Sequence, residues 1–475
     1  MRTLSILPAA ALLAAGALMG ARSSPAGFPA ADDVQRLYDE ADLNRAVQAY
    51  RFFYSTVSGA AIYKGNIESG AVDNKVFVVM DTTPRHVGFT LNSDTPYGLM
   101  LLDLRAGPLV IELPAGPFIV AAIDLNQRWI ADMGIPGPDE GKGGKHLILP
   151  PGYEGDVPDG YHVWKATTNH VMVAARSLPV QGDVKGAMDR IQTIGVRPLT
   201  KPADWAEPKW LDKTDKREDT TPLKWENNIA YWEELHWVID TEPPLDEYRD
   251  YYGELAALGI AKGKPFAPDA RMKRILEQAA KTGLAQMRAQ SFADRRPDRV
   301  VWDDRKWEWA ALRYEDGFFN TANYVDLEAR EVWFYQAIGT SPVMFRRQAG
   351  SGSLYWLGLR DESGAYLDGG KRYKLSVPLP VPGKLFWSVT VYDAETRSQV
   401  DTDQGKAALR SLFELKDVTG TNVDLYFGPQ APAGQEGRWI KTIPGKGWFV
   451  YFRVYGPEQA AFDGSWKPGD FEEVK

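Results

Sequence analysis

The sequence predicts a mainly β protein with helical insertions. Short apolar runs separated by Gly and Pro fill the region from Lys75 to Arg176, and similar runs return after Leu354. Between these regions, apolar residues recur with the 3.6-residue period of amphipathic helices. Regularly spaced short strands are typical of a β-sandwich or jelly roll and not of alternating βαβ units. These observations predict two β domains joined by a helical region.

Length, composition and charge narrow the class of protein. The chain has 475 residues, of which 44% are hydrophobic and 25% are charged, as in soluble globular proteins of several domains. Its net charge of −8 is not the excess of Lys and Arg that attracts nucleic acid, so we expect no nucleic-acid partner. The absence of Cys excludes disulfides, thiolate zinc sites, iron–sulfur clusters and cysteine nucleophiles.

The first 26 residues have the pattern of a signal peptide. Arg2 precedes an apolar run, Leu4–Met19, which is followed by small residues up to Ala26. This run is shorter than the ~20 residues that cross a bilayer comfortably. An uncleaved N-terminal anchor is the alternative, whereas a lipidated anchor is excluded because no Cys follows. We therefore expect a periplasmic or secreted protein without a stable membrane span after cleavage.

Residues 27–197 are predicted to form an N-terminal helix and the first β domain. Asp32 can cap a helix that runs to about Tyr54, because the apolar residues between them repeat near the helical period. The predicted strands are Lys75–Met80, Gly98–Leu104, Leu109–Leu113, Phe118–Leu125, His146–Leu149, Tyr161–Lys165 and Val171–Ala175.

Residues 198–345 are predicted as a basic linker and a helical region, and residues 346–475 as the second β domain. Pro243, Pro244 and Pro265 punctuate the helical part. The predicted helices are Asn228–Ile239, Leu245–Leu258, Asp269–Ala289 and Ala329–Ile338. The charged, Trp-rich stretch 295–313 has no clear pattern. The predicted strands of the second domain are Tyr373–Val377, Leu385–Val391, Val423–Phe427 and Trp448–Tyr455.

Several segments together identify a family. They are Asn92–Tyr97, Gly107–Pro114 and Gly144–Tyr153 in the first half, and Phe386–Asp393 and Arg453–Pro457 in the second. The chain resembles the exported bacterial proteins that carry paired domains of unknown function numbered 1254 and 1214. This resemblance implies two jelly-roll-like β-sandwich domains with intervening helices, and assembly as a homo-oligomer. It implies no established activity.

The first β domain contains two groups of polar candidates. Asn92–Tyr97 precedes a strand, and Asp124 shares one strand face with Arg128. Asp94 and Asp124 are the candidate catalytic residues, because two carboxylates about 5–10 Å apart can hydrolyse a glycosidic bond. Asp and Asn beside strands also bond their own backbone in turns, so the motif is either a structural corner or part of a site. The candidate ligand-binding residues of this domain are Asn92, Thr95, Tyr97 and Arg128.

The second β domain contains a polar and aromatic strand face. If its two best strands are neighbours, same-face side chains on them form one continuous patch. Such a patch suits a subunit interface or a sugar-like ligand, both of which need an amphipathic surface, and a half-solvated sheet face is the alternative. The candidate ligand-binding residues here are Ser388, Thr390, Tyr392, Tyr451, Arg453 and Tyr455.

The familiar catalytic and cofactor motifs are missing from the sequence. It contains no Gly-x-Ser-x-Gly, no P-loop and no dinucleotide fingerprint, so we expect no cofactor. The five histidines include no His-x-His pair, and Glu233-x-x-His236 occurs once where a di-iron bundle needs two copies. His162 and His170 could face each other across a hairpin with His146 nearby, but we predict no metal site.

The sequence is compatible with three functions. The first is an exported binding or assembly protein of the cell envelope, with a glycan or small molecule as a possible ligand. The second is a secreted hydrolase or lyase that uses carboxylates such as Asp94 and Asp124 on a polysaccharide or a small polar substrate. The third is a metal-dependent enzyme built on the jelly roll. Fold alone does not choose among them.

Overall fold

The computed structural model describes residues 27–216, 218–219, 223–313, 316–345, 347–350 and 352–474. The predicted signal peptide, residues 1–26, lies outside these ranges. Within them, no helix has both the length and the apolar character needed to cross a membrane.

The first half begins with a long helix and continues mainly as strands. Its helices are α1 (Ala31–Glu68) and α2 (Val184–Ile191). Its strands are β1 (Val76–Met80), β2 (His86–Val87), β3 (Tyr97–Asp103), β4 (Leu109–Leu113), β5 (Phe118–Asp124), β6 (Trp129–Gly134), β7 (Gly144–Leu149), β8 (His162–Lys165), β9 (His170–Ser177), β10 (Gly195–Pro198), β11 (Lys209–Asp212) and β12 (Glu218–Asp219).

Helices dominate the middle of the chain, and strands return after it. The helices are α3 (Ala230–Thr241), α4 (Arg249–Ala257), α5 (Ala270–Phe292), α6 (Leu327–Gln336) and α7 (Pro342–Phe345). The strands are β13 (Trp307–Trp309), β14 (Ser353–Gly358), β15 (Tyr373–Pro378), β16 (Gly383–Asp393), β17 (Ala408–Arg410), β18 (Asn422–Gly428), β19 (Trp439–Lys441), β20 (Trp448–Pro457) and β21 (Phe471–Glu473).

The strands of the first half form two main sheets that share one core. The six-stranded sheet has the order β11-β1-β3-β9-β5-β6, and the four-stranded sheet has the order β10-β4-β7-β8. Met100 and Val173 from the first sheet join Ile111 and Ile148 from the second in one buried cluster. Alternate side chains of each strand are therefore buried between the two sheets, as in a β-sandwich.

The second half repeats this arrangement with different strand orders. Its five-stranded sheet has the order β13-β14-β20-β16-β17, and its four-stranded sheet has the order β19-β18-β15-β21. Trp356, Val389 and Val450 pack with Leu375 and Val423 in the cluster between the two sheets. The prediction of a mainly β fold with helices is thus confirmed, whereas the jelly-roll topology and the domain boundaries stay predictions.

Both large sheets are also covered on their outer faces. Helices α1 and α3 place Ile62 and Val238 in a cluster with Leu101 of the six-stranded sheet. Tyr392 and Tyr451 of the five-stranded sheet belong to the cluster built by the helices of the middle region. Strand β20 is consequently buried at all ten positions. The helices thus pack against the outer faces of both sandwiches.

Helix α1 is longer than the apolar stripe predicted. It continues from Tyr54 to Glu68 through small and polar residues that are nevertheless buried, among them Ser58 and Gly59. A Cβ at Gly59 would lie 2.3 Å from the carbonyl oxygen of Leu125. The small residues therefore let the helix approach the end of β5 closely, and a hydrophobic pattern does not record that kind of contact.

Two segments without a clear sequence pattern extend the sheets. The predicted linker contains β11, which pairs in parallel with β1 and places Trp210 opposite Phe77. The stretch 295–313 contains β13 at the edge of the five-stranded sheet. The indole of its buried Trp307 donates a hydrogen bond to the carbonyl of Gly469 at 2.8 Å. Large aromatic side chains therefore anchor both segments.

Candidate functional site

A cavity of about 660 Å³ lies between the outer faces of the two large sheets. Strand β5 contributes Ala121 and Ile123 to its wall, and β20 contributes Tyr451, Arg453 and Tyr455 from the other sheet. These residues alternate along their strands because successive side chains point to opposite faces. Both halves of the chain are thus needed to form this space.

The wall of the cavity is mostly apolar. Met80, Leu99 and Ile338 line it together with Ile135 and Leu385. The last two side chains are 45% and 48% exposed, so the cavity opens to solvent beside them. A molecule that enters would exchange water for contact with aliphatic surface, which is the dominant favourable contribution to most binding.

The Asn92–Tyr97 motif meets β20 at a polar part of the wall. The side chain of Asn92 accepts a hydrogen bond from the backbone N–H of Asp94 at 3.0 Å, as in an Asx turn. Its Nδ2 donates to the hydroxyls of Tyr97 at 3.0 Å and of Tyr455 at 3.3 Å. The motif is therefore both a turn and a contact between the two β domains.

Asp94 is buried directly behind this wall. Its Oδ2 accepts a hydrogen bond from the hydroxyl of Ser388 at 2.9 Å and a long one from Tyr455 at 3.5 Å. Its Oδ1 has no hydrogen-bond partner among the described residues. Burial raises the pKa of this carboxyl above its usual value, while nearby Arg453 and the Ser388 bond oppose that rise.

Two arginines complete the cluster. Arg176 donates from Nε to the hydroxyl of Thr95 at 2.9 Å and from Nη2 to the hydroxyl of Tyr455 at 3.3 Å. Arg453 donates from Nη2 to the backbone carbonyl of Thr90 at 2.8 Å. Its guanidinium also lies 5.1–5.5 Å from the ring centroids of three tyrosines, which is within cation–π range. These tyrosines are Tyr355, Tyr392 and Tyr451.

The patch predicted on the second domain exists, and this chain itself covers it. Strands β16 and β20 are neighbours that pair Ser388 with Arg453 and Thr390 with Tyr451. Tyr392 donates to the carbonyl of Leu91 at 2.8 Å, and Tyr451 donates to Gln336 at 2.6 Å. These partners lie in the N-terminal half and in α6. The patch therefore gives no separate argument for a subunit interface, and part of it lines the cavity.

Asp124 and Arg128, the remaining predicted site residues, lie in a different cluster. Asp124 accepts hydrogen bonds from the hydroxyl of Thr167 and from the backbone N–H of Arg128, and burial raises its pKa. Arg128 forms an ion pair with Glu247 at 3.0 Å. Asp94 and Asp124 share no hydrogen-bond partner, so the structure does not join the two candidate carboxylates in one site.

Arg176 was missed in the sequence, although a signal for it existed. It lies near the end of β9, whose other residues are mostly buried and apolar. A charged side chain in such a strand is rarely buried without a partner. Strand register explains the position of Arg176 in the site, because β9 pairs it with Tyr97 of β3. A pairing between distant strands cannot be obtained from the pattern of one strand.

Two histidine clusters lie elsewhere in the first domain. His146 and His162 are paired on the parallel strands β7 and β8, whereas His170 lies in the other sheet, so the hairpin considered for His162 and His170 does not form. Burial lowers the pKa of His146 to about 4. His170 instead bonds Glu242, and its ring atoms lie within 4.8 Å of oxygens of Asp73 and Asp103.

The cluster around His170 contains residue types that bind metal ions, but its carboxylates already have partners. Arg105 pairs with Asp103 at 2.6 Å, and the hydroxyl of Tyr63 donates to Asp73. These bonds together with the contact between His170 and Glu242 form a self-consistent network. We therefore assign the cluster to the packing of α1 and α3 against the six-stranded sheet.

The fold defines a protein of two β-sandwich-like halves that share one cavity. Comparison with known families agrees with this division. The family described as "Protein of unknown function (DUF1254)" matches residues 75–198, and that described as "Protein of unknown function (DUF1214)" matches residues 352–459. The chain is therefore a two-domain protein of unknown function, and the resemblance noted in the sequence is confirmed.

Among the solved structures that match, one shares this fold. The VPA0106 protein from Vibrio parahaemolyticus is 17% identical, with a TM-score of 0.58, and the match covers 91% of this chain and 100% of that one. An uncharacterized protein from Burkholderia cenocepacia is 11% identical, with a TM-score of 0.41, over 94% of this chain and 97% of that one. No curated protein sequence matches the chain.

Proposed function

We propose that this protein binds a small, largely apolar molecule in the cavity between its two β domains. The observation that carries the proposal is the cavity itself, whose volume of about 660 Å³ lies within the range of ordinary ligand sites. Protein interiors contain few voids larger than a water molecule. A space of this size, with apolar walls and a few convergent polar groups, is what a binding site requires.

The distribution of polar groups favours an apolar ligand over a glycan. A sugar carries hydroxyl groups on all sides, and each one that is buried needs a hydrogen-bond partner. The wall groups Asn92, Tyr97 and Arg176 instead share one cluster, and Ser341 donates its hydroxyl to Asp132. The side chains of Met80, Leu99 and Ile338 offer no partner. Glycan recognition therefore stays a prediction with less support.

The hydrolase alternative also has less support than binding. It needs two carboxylates that flank one scissile bond, and the clusters of Asp94 and Asp124 are separate. Asp94 lies behind the wall in contact with Ser388. A binding protein requires neither carboxylate to react, so binding is the simpler account of the geometry.

A substitution that fills the cavity tests the proposal. Ala121→Phe places a ring in the cavity, while Ala256→Phe on the exposed side of α4 is the matched control. Decan-1-ol, used as an apolar probe, should raise the Tm of the unmodified chain and of the control by mass action. It should leave the Tm of Ala121→Phe unchanged. An unmodified chain whose Tm does not respond to decan-1-ol at its solubility limit would contradict the proposal.

We propose in addition that the protein acts in the periplasm or outside the cell, after removal of residues 1–26. The support is the n-region, apolar run and small-residue pattern at the start of the sequence. Mass spectrometry of the protein from the cell envelope should give a mature N-terminus near Ala21–Ala26. Intact Met1 on protein from the cytoplasm would contradict export. Sedimentation of the same sample tests the expected homo-oligomer.

A further inference from the structure

Positive charge exceeds negative charge on the wall of the cavity. Arg176, Lys384 and Arg453 line it together with one carboxylate, that of Asp132. Asp132 accepts a hydrogen bond from the hydroxyl of Ser341 at 3.0 Å and lies on β6, at the edge of the six-stranded sheet. The two arginines are therefore not neutralised by a wall residue beside them.

Neither arginine forms an ion pair within the described part of the chain. No carboxylate oxygen lies within 4.0 Å of the guanidinium nitrogens of Arg176 or Arg453 there. Asp94, which also contacts the hydroxyl of Tyr455, accepts its shorter hydrogen bond from Ser388. Arg453 is buried and Arg176 is half-buried. A cation withdrawn from water without a paired anion is costly, and the groups described around these two supply only hydroxyl and carbonyl oxygens and aromatic rings.

Two donors beside the cavity remain unused, in addition to the buried Nη1 of Arg453. Nε and Nη2 of Arg176 have partners, whereas no described residue accepts a hydrogen bond from its Nη1. Tyr97 accepts a hydrogen bond from Asn92, and no described residue accepts its own hydroxyl proton. The guanidinium carbon of Arg176 lies 5.4 Å from the ring centroid of Tyr97. The two free donors therefore belong to neighbouring groups.

We infer that the molecule bound in the cavity carries a carboxylate that docks on Arg176 and Tyr97, with its apolar part along the aliphatic wall. This inference rests on the proposed function and adds the chemical class of the ligand. A carboxylate has two oxygens and one negative charge, which match two unused donors and one accessible cation. Arg453 lines the cavity on the same strand face as Tyr455 and adds positive potential to it.

The experiment compares three ten-carbon probes on the full chain by isothermal titration calorimetry. Decanoate should bind at least tenfold more tightly than decan-1-ol, because only the acid gains the charged contact. Decyl phosphate should bind more weakly than decanoate, since its third oxygen has no unused donor. Arg176→Gln should reduce decanoate affinity at least tenfold and leave decan-1-ol within twofold, and Tyr97→Phe should reduce decanoate affinity by a smaller factor.

The matched control is Arg105→Gln, which removes an exposed arginine that pairs with Asp103 outside the cavity. It should leave the affinity of all three probes unchanged. Equal affinity for decanoate and decan-1-ol would overturn the inference and leave the proposed function standing. Failure of every probe to bind would overturn both. Tighter binding of decyl phosphate than of decanoate would overturn the assignment of the ligand's charged group as a carboxylate. Loss of decan-1-ol binding in both Arg176→Gln and Tyr97→Phe would assign these two residues to folding.

Discussion

Two buried arginines of the second β domain have similar surroundings and different bonding. Arg397 and Arg453 are 0% and 3% exposed, and each lies over aromatic rings. Arg397 forms an ion pair with Glu226 and donates to the carbonyls of Tyr335 at 3.1 Å and Glu395 at 2.6 Å. Its donor set is thus largely satisfied within the chain.

Arg453 is the incomplete member of this pair. It makes one hydrogen bond, to the carbonyl of Thr90, and its Nη1 has no hydrogen-bond partner in the described part of the chain. Buried donors are normally satisfied, so the comparison separates a structural arginine from one that lies at a site. Burial alone does not distinguish the two, whereas the count of satisfied donors does.

The first way to test this comparison is to break the ion pair between Arg397 and Glu226. Glu226→Gln should lower the free energy of unfolding by about 3–5 kcal/mol, because it leaves the buried Arg397 without its counter-charge. Urea denaturation measures the change. Glu207→Gln, at an exposed pair with Lys201, is the control and should cost at most about 1 kcal/mol. A loss for Glu226→Gln no larger than that of the control would contradict the assignment.

Substitution of Arg453 should lower the free energy of unfolding by a smaller amount. Arg453→Met removes one hydrogen bond and the ring contacts but breaks no ion pair, so the expected loss in unfolding free energy is about 1–2 kcal/mol. The same urea titration applies. If the loss equalled or exceeded that of Glu226→Gln, Arg453 would be a structural residue like Arg397.

The pH dependence of stability sharpens the comparison at Asp94. Because burial raises the pKa of Asp94, the folded state holds this proton more tightly than the unfolded state does. Its contribution to the free energy of unfolding therefore falls as the pH rises above the ordinary Asp value of about 4. Asp94→Asn should remove this decrease, so its stability relative to the unmodified chain should grow with pH.

Asp298 provides a control of opposite sign. The side-chain bond from Arg296 lowers its pKa, so its contribution is present above the ordinary Asp pKa and is lost as the pH falls through the lowered value. Asp298→Asn should therefore lose stability relative to the unmodified chain as the pH rises. Parallel pH profiles for the two variants would show that burial does not raise the pKa of Asp94.

The smallest effect is expected at Arg128. Its partner Glu247 has a side chain that is 65% exposed, and pairs with an exposed member contribute little. Arg128→Gln should cost about 0.5–1 kcal/mol and leave the Tm response to decan-1-ol unchanged. A lost response would return Arg128 to the binding site, where the sequence pattern had placed it.

The sequence predicted the strands well where alternation and length coincide. Leu109–Leu113 has the bounds that were predicted, and β3, β9 and β20 differ from prediction by only a few residues at their ends. The end of α1 was missed because its second half is buried through small residues, as at Gly59. Strand β13 was missed because charged residues surround its tryptophans.

Half of the candidate site could be predicted, and its assembly could not. Face alternation placed Arg453 and Tyr455 together, and the turn chemistry of Asn92 and Asp94 was recognised. Their contact joins positions about 360 residues apart, and no local pattern records such a contact. Asp124 was grouped with Asp94 from polarity alone, which shows that a strand face is polar but not which element lies opposite it, and the two carboxylates share no hydrogen-bond partner.

The contact between Asn92 and Tyr455 has a consequence for the order of synthesis. A ribosome completes the first sandwich long before it reaches β20, and domains generally fold as they emerge. During that interval, the part of the six-stranded sheet that carries Leu99, Ala121 and Ile123 has no second wall from the nascent chain. These side chains gain that wall only when the strands of the second sandwich are added. The protein therefore acquires its cavity and covers this apolar surface in the same late event.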